Sequence, residues 1–476
     1  MFDVLVIGGG VIGASVLREL SKYDLKICLL EKESDVCMGA SRANSGVVHA
    51  GFDAAEGTLK AKFNVEGNLM MEGICKELGV KYKKNGSLVV AFSDEDLNTL
   101  QSLKARGEAN GVGELEIISA EELRELEPNL SDEAVGALYA KTGGIVCPYE
   151  LTISLIGNAM DNGAVLYTDF EAVSAKKEKG AFTVTASDGR QVQGKIVVNC
   201  AGLYSGKVAE FFGDDSIKIG ARKGEYILLD RECAGFVTRT LFFTPTKLGK
   251  GVLVLPTVDN NILLGPTAEE MDIPDTETTQ EGLNWVIEKA KKMCKNIPFY
   301  NTITSFAGIR AYSDRHDFIV EKSPKVEGLI NCAGIESPGL TSAPAIAKYV
   351  VNGLIGALLP LNKNVEFNPY RRPDYFFKNL TDEEKNQIIK KDPTYGRIIC
   401  RCEQITEGEI ICACTENPRA TTVDGVKRRT RAGMGRCQGG FCQPYVAEII
   451  AKCNNLPLTE VTKSGKKSNL LQGVSK

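Results

Sequence analysis

The chain has 476 residues, 43% of them hydrophobic and 25% charged, with a formal net charge of −4. That length exceeds one ordinary core and predicts two or three domains of globular composition. The charge offers no case for nucleic acid as a partner. No apolar run approaches the ~20 residues that cross a bilayer, which leaves only peripheral membrane contact open.

The first predicted element is a strand around residues 4–7, followed by Gly8, Gly10 and Gly13 in the order G-x-G-x-x-G as a helix begins near Ile12. Gly8 permits the tight turn, Gly10 lets a pyrophosphate approach the backbone, and Gly13 lets helix and strand pack closely. The helix N-terminus offers amides and a partial positive charge to a diphosphate. A second strand, 26–30, ends on Glu31, about where an acid would take a ribose hydroxyl. These elements in this order predict a dinucleotide site without distinguishing FAD from NAD. No basic, apolar leader precedes the strand, so a cytoplasmic location is expected.

Residues 39–51 are small and polar, include Ser41, Asn44 and Ser45, and carry His49, one of only two histidines. Such a stretch can lie flat against a large planar ligand. A helix is predicted over 58–78, a strand over 86–92 and a polar helix over 93–110. Ser119 and Glu122 open another helix with a capping box, and Pro128 marks its end. A helix over 149–162 leads to strands at 165–167, 182–186 and 195–199, the last closing in a turn at Gly202 like a returning strand of the nucleotide domain. Segments 226–229, 251–255 and 261–264 read as a separate antiparallel sheet, and 281–292 as a helix bearing Trp285. An apolar strand at 329–333 precedes Gly334, and a helix follows over 343–354. The nucleotide domain is therefore visited at least three times. Residues 361–395 read as a linker packed on the body, with a short helix capped by Thr381 and Glu384.

Seven of the fifteen cysteines fall from Cys400 to Cys453. A secreted disulfide scaffold would be shorter and would spread them evenly, so the clustering points to a metal. Cys400 and Cys402 form C-x-C, and Cys437 and Cys442 form C-x4-C, with 34 residues between the pairs. Four thiolates can hold a [2Fe–2S] cluster or a tetrahedral zinc, although structural zinc usually takes C-x2-C knuckles. Cys412 and Cys414 offer an alternative pair, but they read as helix residues rather than ligands. Arg428, Arg429, Arg431 and Arg436 would either offset the charge of a cluster or form a solvated basic face. The run RRTRAGMGRCQGGFC resembles the bacterioferritin-associated-ferredoxin-like [2Fe–2S] domain that follows some flavoproteins.

With an iron–sulfur module attached, FAD is the better reading, because a flavin takes up a hydride and releases electrons singly. A polar set then stands out. His49 suits proton acceptance from an alcohol at neutral pH. Arg310 in G-I-R can hold an anion bidentately, and Lys250 in G-K-G can add a second positive charge. Ser337, Gly339, Leu340 and Thr341 lie in E-S-P-G-L-T between a strand and a helix, where amides can face a flavin ring. Singly each has an ordinary structural role; together they read as a site.

Residues 1–360, through GGGVIG, SRANSGVVHAGF, GKGVLVLPT, GIRAYS and ESPGL, resemble the glycerol-3-phosphate oxidase and dehydrogenase branch of the D-amino-acid-oxidase-like FAD oxidoreductases. The resemblance implies His49 as base, Arg310 on the substrate anion, and Lys250 and Ser337 lining the phosphate and flavin pocket. It implies an α/β fold: a Rossmann-like FAD-binding domain of glutathione-reductase-2 type, an inserted antiparallel-sheet substrate domain, and a small α-rich [2Fe–2S] domain. The expected divisions are 1–80, 141–215 and 306–360 for FAD, 81–140 and 216–305 for substrate, a linker at 361–395, the cluster domain at 396–455 and a tail at 456–476. The implied reaction oxidises a small anionic alcohol, sn-glycerol 3-phosphate, to dihydroxyacetone phosphate. The module points away from direct oxygen reduction and toward an electron-accepting flavoprotein, iron–sulfur subunit or quinone. An L-2-hydroxyglutarate dehydrogenase, an amine or amino-acid dehydrogenase, and an electron-transfer subunit without a substrate of its own are the competing readings.

Overall fold

Phe2–Ile7 is apolar on both faces, and Val4, Leu5 and Val6 have no solvent exposure, as a strand covered from both sides requires. In the computed structural model, which describes residues 1–245, 251–371 and 376–473, this strand lies within an eight-stranded sheet. It pairs in parallel with Ile27–Leu30 on one side and Gln191–Asn199 on the other. Val165–Tyr167 and Leu329–Ala333 extend the parallel run at either end. Strands from widely separated stretches of chain thus share one sheet, as the repeated visits predict. Ala172–Glu178 joins it through an antiparallel ribbon with Ala181–Ala186; its sequence, AVSAKKE, ends in three consecutive charges and has no apolar alternation to read.

Helices Val11–Leu20, Leu59–Leu78, Pro148–Asp161 and Gly339–Lys348 pack together with this sheet around Val16, Leu17, Met71, Ile156 and Ile346, all fully buried. Each such side chain contributes about 1.5–3 kcal/mol of burial. The last helix starts at Gly339, ahead of the expected 343. Pro344, which resembles a first-turn residue, lies inside it, and a π-turn over Tyr349–Ile355 continues it.

The second sheet has nine strands. Ile219–Leu229 and Thr302–Ser313 form its longest pair, antiparallel, with Arg222 opposite Arg310. Its pairing is antiparallel with one exception, and one expected boundary falls inside a strand. Thr240–Phe243 pairs in parallel with Ser87–Ala91, so the sheet is mixed. The division at 305/306 falls within Thr302–Ser313, which belongs wholly to this second sheet. Helix Gln280–Met293 backs the sheet through Val286, Ala290 and Met293, while Tyr226, Phe242 and Leu253 pack on a separate cluster.

The segment after residue 360 returns to the body. The Asp24 amide donates to the Asn362 carbonyl, and the Arg371 amide donates to the Glu77 carbonyl. Thr381 and Glu384 form the expected capping box on Asp382–Lys391. The cysteine module is built on helices Glu407–Thr415, Val423–Thr430 and Gln443–Asn454. The expected tail is part of it: Val461 is fully buried and Thr462 bridges to Thr422. No helix among the described residues is long and apolar enough to cross a membrane.

Candidate active site and metal centre

A cleft of about 2820 Å³ runs between the two sheets. At one end, Gly8 takes a φ of 108°, and a Cβ there would stand 2.4 Å from the Cys200 carbonyl oxygen. Gly13 approaches the Gly8 carbonyl so closely that its Cβ would lie 2.0 Å from that oxygen. Only glycine allows this turn and this helix approach. Glu31 is buried; it accepts from the Gly9 amide at 2.6 Å and the Glu33 amide at 2.9 Å. Burial dominates and holds its carboxyl above the ordinary range despite those amides. Ser41 Oγ accepts from the Val11 amide at 2.9 Å, at a helix start whose N-cap, Gly10, makes no side-chain cap. Asn44 pins the following loop, donating to the Ala40 and Ser41 carbonyls and accepting from the Gly46 amide.

Gly8, Gly10, Ile12, Glu31, Ser41, Asn44, Ser45, Gly202, Ser337, Gly339 and Leu340 line the cleft, as do His49 and Arg310. Gly13, Gly334 and Thr341 stand behind its wall. Gly334 turns with φ 63° against Ser313, and Thr341 is buried under the His49 loop. Lys250 lies outside the described residues; Pro245 and Gly251 on either side line the cleft. A long cleft with a glycine turn, a helix start and a buried acid at one end fits the adenosine diphosphate half of FAD.

At the other end His49 is fixed from three sides. Its amide donates to Thr341 Oγ1 at 2.9 Å, and its carbonyl accepts from Asn64 Nδ2 at 2.7 Å and Asn68 Nδ2 at 3.1 Å. Its Nε2 stands 3.2 Å from Ser337 Oγ, and its ring lies 5.8 Å from that of Phe242. Tyr226 and Phe306 stack at 4.9 Å on the cleft wall. Arg310 is steadied by Nη2, which donates to the Thr267 and Lys223 carbonyls.

Sequence reasoning missed five residues here. Glu336 receives Lys60 at 2.9 Å and Arg222 at 3.5 Å, tying the E-S-P-G loop to a helix start and to the second sheet. Arg222 also faces the ring of Tyr312 at 4.7 Å. Asn64 and Asn68, which hold His49, were legible only as two buried amides one turn apart on a helix.

In the module, Cys400 and Cys442 are buried, whereas Cys402 and Cys437 are partly exposed. The thiols gather in two pairs: Cys402 and Cys437 at 3.4 Å, and Cys400 with Cys442 in hydrogen-bond contact. The Cys442 thiol lowers Cys400 to about 6, helped by the Gly433 and Glu403 amides against burial. Burial raises Cys437, but Cys402 and the Gly439 and Phe441 amides outweigh it and bring it below the ordinary thiol range. Among the described residues no three ligand-type side chains surround one ion-sized point. Two sulfur pairs with amides aimed at them suit two irons better than the single centre of a zinc site. Cys412 contacts the Tyr395 hydroxyl at 3.2 Å. Cys414 is buried beside Cys453, and burial pushes its thiol up to about 12, an inert side chain.

The arginines correct the sequence reading most. Arg428, Arg429 and Arg431 are buried, not a solvated face, and each has a carboxylate partner. Arg428 and Arg429 both hold Asp35, at 2.6 and 2.8 Å, and Asp35 follows the second strand of the nucleotide fold. Arg431 joins Asp259 and Glu403 at 2.7 and 2.9 Å. Arg436 is exposed and pairs with Asp230 and Glu232.

Comparison with known proteins agrees with both halves. A family model described as FAD dependent oxidoreductase matches residues 3–352, and one for a BFD-like [2Fe-2S] binding domain matches residues 398–452. The chain is 50% identical over 478 residues to a glycerol 3-phosphate dehydrogenase of Caloramator mitchellensis, with 100% of this chain and 99% of that protein covered. It is 34% identical over 377 residues to a glycerol 3-phosphate oxidase of Mycoplasma genitalium, covering 77% of this chain and 97% of the relative. Among solved structures, dithionite-reduced L-alpha-glycerophosphate oxidase from Mycoplasma pneumoniae with FAD bound superimposes with a TM-score of 0.75 at 30% identity, over 79% of this chain and 99% of that one. The chain belongs to the FAD dependent oxidoreductase family, and is an FAD flavoprotein that carries a BFD-like [2Fe–2S] domain.

Proposed function

We propose that this enzyme oxidises sn-glycerol 3-phosphate to dihydroxyacetone phosphate in the cytoplasm and passes the electrons through its [2Fe–2S] module to a partner protein or quinone. The observation that carries the reading is His49: its backbone is held by Thr341, Asn64 and Asn68, and its Nε2 is turned to Ser337 on the cleft wall. The full-length similarity to a protein named for this substrate supports it.

Bound FAD would supply a hydride acceptor and a route from two-electron to one-electron chemistry. Glu31, Gly10 and Ser41 would hold its adenosine diphosphate end. His49 would take the proton of the C2 hydroxyl, with Ser337 steadying the imidazole. Arg310 would bind the phosphate, and in this reading Lys250 joins it. Tyr226, Phe306 and Phe242 would exclude water from the reacting end.

Anaerobic titration with glycerol 3-phosphate, followed at flavin and cluster absorbance together, tests the reading. Bleaching of both bands is expected, with dihydroxyacetone phosphate as product, and is complete only beyond one substrate per protein, because the flavin takes two electrons and the cluster a third. Bleaching by L-2-hydroxyglutarate or an amino acid instead would replace the substrate, and no bleaching by any of them would leave an electron-transfer subunit.

A further inference from the structure

Arg431 is one of the residues that seat the cysteine module on the body. Arg431 caps the C-terminus of helix Val423–Thr430 in the left-handed conformation, with a φ of 71° and its amide on the Lys427 carbonyl, so its side chain leaves the helix at the boundary. Its guanidinium reaches Glu403 within the module and, across the boundary, Asp259 at 2.7 Å, Asn261 at 3.2 Å and the Tyr149 hydroxyl at 3.4 Å. One guanidinium thus ties the module to the body from both sides of the boundary.

The path from the His49 loop to the cysteines runs through the same place. The Gly46 carbonyl accepts from the Val146 amide at 2.8 Å. Three residues further on, Tyr149 donates its hydroxyl to Met434 Sδ at 3.4 Å. Cys437 follows Met434 by three residues. Gly435 packs so tightly on Cys402 that a Cβ there would be 2.4 Å from the Cys402 Cβ. Two non-bonded contacts therefore join the cleft loop to the cluster cysteines.

We propose that Arg431, Tyr149 and Met434 are positioning residues that clamp the module in one orientation, so that electrons cross at the Tyr149–Met434 contact and not by release and swinging of the module. The inference rests on the alcohol-oxidising reading of the cleft. Each alcohol oxidised to a ketone yields two electrons and two protons. The cluster passes one electron at a time, so two passages complete a turnover; in the anaerobic assay one electron rests on the cluster and the other on the flavin, and ferricyanide added afterwards, two ions reduced to ferrocyanide per alcohol, closes the balance. Release would separate Asp35 from two buried arginines, which makes an undocked module a costly state.

The test is anaerobic stopped flow on the full-length, cofactor-loaded protein with glycerol 3-phosphate, reading flavin bleaching and cluster reduction separately, with the cluster's electron paramagnetic resonance spectrum as a second readout. Tyr149→Phe should slow cluster reduction several-fold and Arg431→Met at least tenfold. Arg431→Lys should lie nearer wild type, while flavin bleaching and the cluster spectrum stay unchanged in all three. Wild-type cluster reduction in both Tyr149→Phe and Arg431→Met overturns the proposal. Loss of the cluster signal itself in Tyr149→Phe overturns it equally, because the contact would then belong to cluster assembly. If Arg431→Met does not fold, Tyr149→Phe decides alone. If no alcohol bleaches wild-type flavin, the proposed reaction fails by itself, and the same comparison run with flavin reduced by a light pulse of deazariboflavin still decides the clamp.

Discussion

The cleft and the seat of the cysteine module are held by different physics. In the cleft the decisive contacts are backbone ones: Gly13 against the Gly8 carbonyl, the Gly9 amide on Glu31, the Thr341 hydroxyl on the His49 amide. At the seat they are side-chain charges from distant stretches, Asp35 with Arg428 and Arg429, and Asp259 with Arg431. A backbone cradle tolerates no added atom, whereas a buried charge cluster tolerates no removed partner. The two regions should therefore fail under opposite kinds of substitution.

The largest effect is expected at the reacting end. His49→Ala should lower the rate of flavin reduction by about 10²–10⁴-fold while FAD stays bound, since His49 does not touch the glycine turn; stopped-flow absorbance and a flavin content assay check both parts. Asp35→Asn leaves two buried arginines short of a counter-charge and should cost about 3–5 kcal/mol of stability, seen as a separate, earlier melting step of the module while the flavin domain melts as before. The same pair predicts an acid limit. Burial raises the Asp35 carboxyl, but Arg429 and Arg428 outweigh it and hold it below the ordinary range. Its contribution is therefore complete above the unfolded value of ~3.9 and is lost as pH falls through the lower folded value. Wild type should show this loss in an acid titration, and Asp35→Asn should lack that step.

Gly13→Ala sharpens the contrast from the other side. One methyl placed 2.0 Å from the Gly8 carbonyl should cost about 1–3 kcal/mol by overpacking and weaken FAD retention, with the module's melting step unchanged. Ser337→Ala is the mildest. Loss of one hydrogen bond to His49 is worth about 1 kcal/mol and should slow flavin reduction about fivefold, with a shifted pH profile as the sign that imidazole positioning, and not substrate binding, has changed.

Local rules made much of this molecule legible from its residues. The glycine turn, Glu31 at the end of the second strand, the capping boxes at Ser119 and Thr381, and the C-x-C and C-x4-C spacing are short-range patterns whose physics lies in the backbone or in four neighbouring sulfurs. What only the tertiary structure decided are pairings between stretches hundreds of residues apart. Arg428 and Arg429 next to a cysteine cluster look like counter-charges to iron; their partner is Asp35, nearly the whole chain away. Nothing in the local sequence around Glu336 points to Lys60 and Arg222, which pair with it. Periodicity and turn chemistry act over a few residues and leave their mark in the local sequence, whereas an ion pair carries no record of its partner's position until the sheets and helices between them have packed.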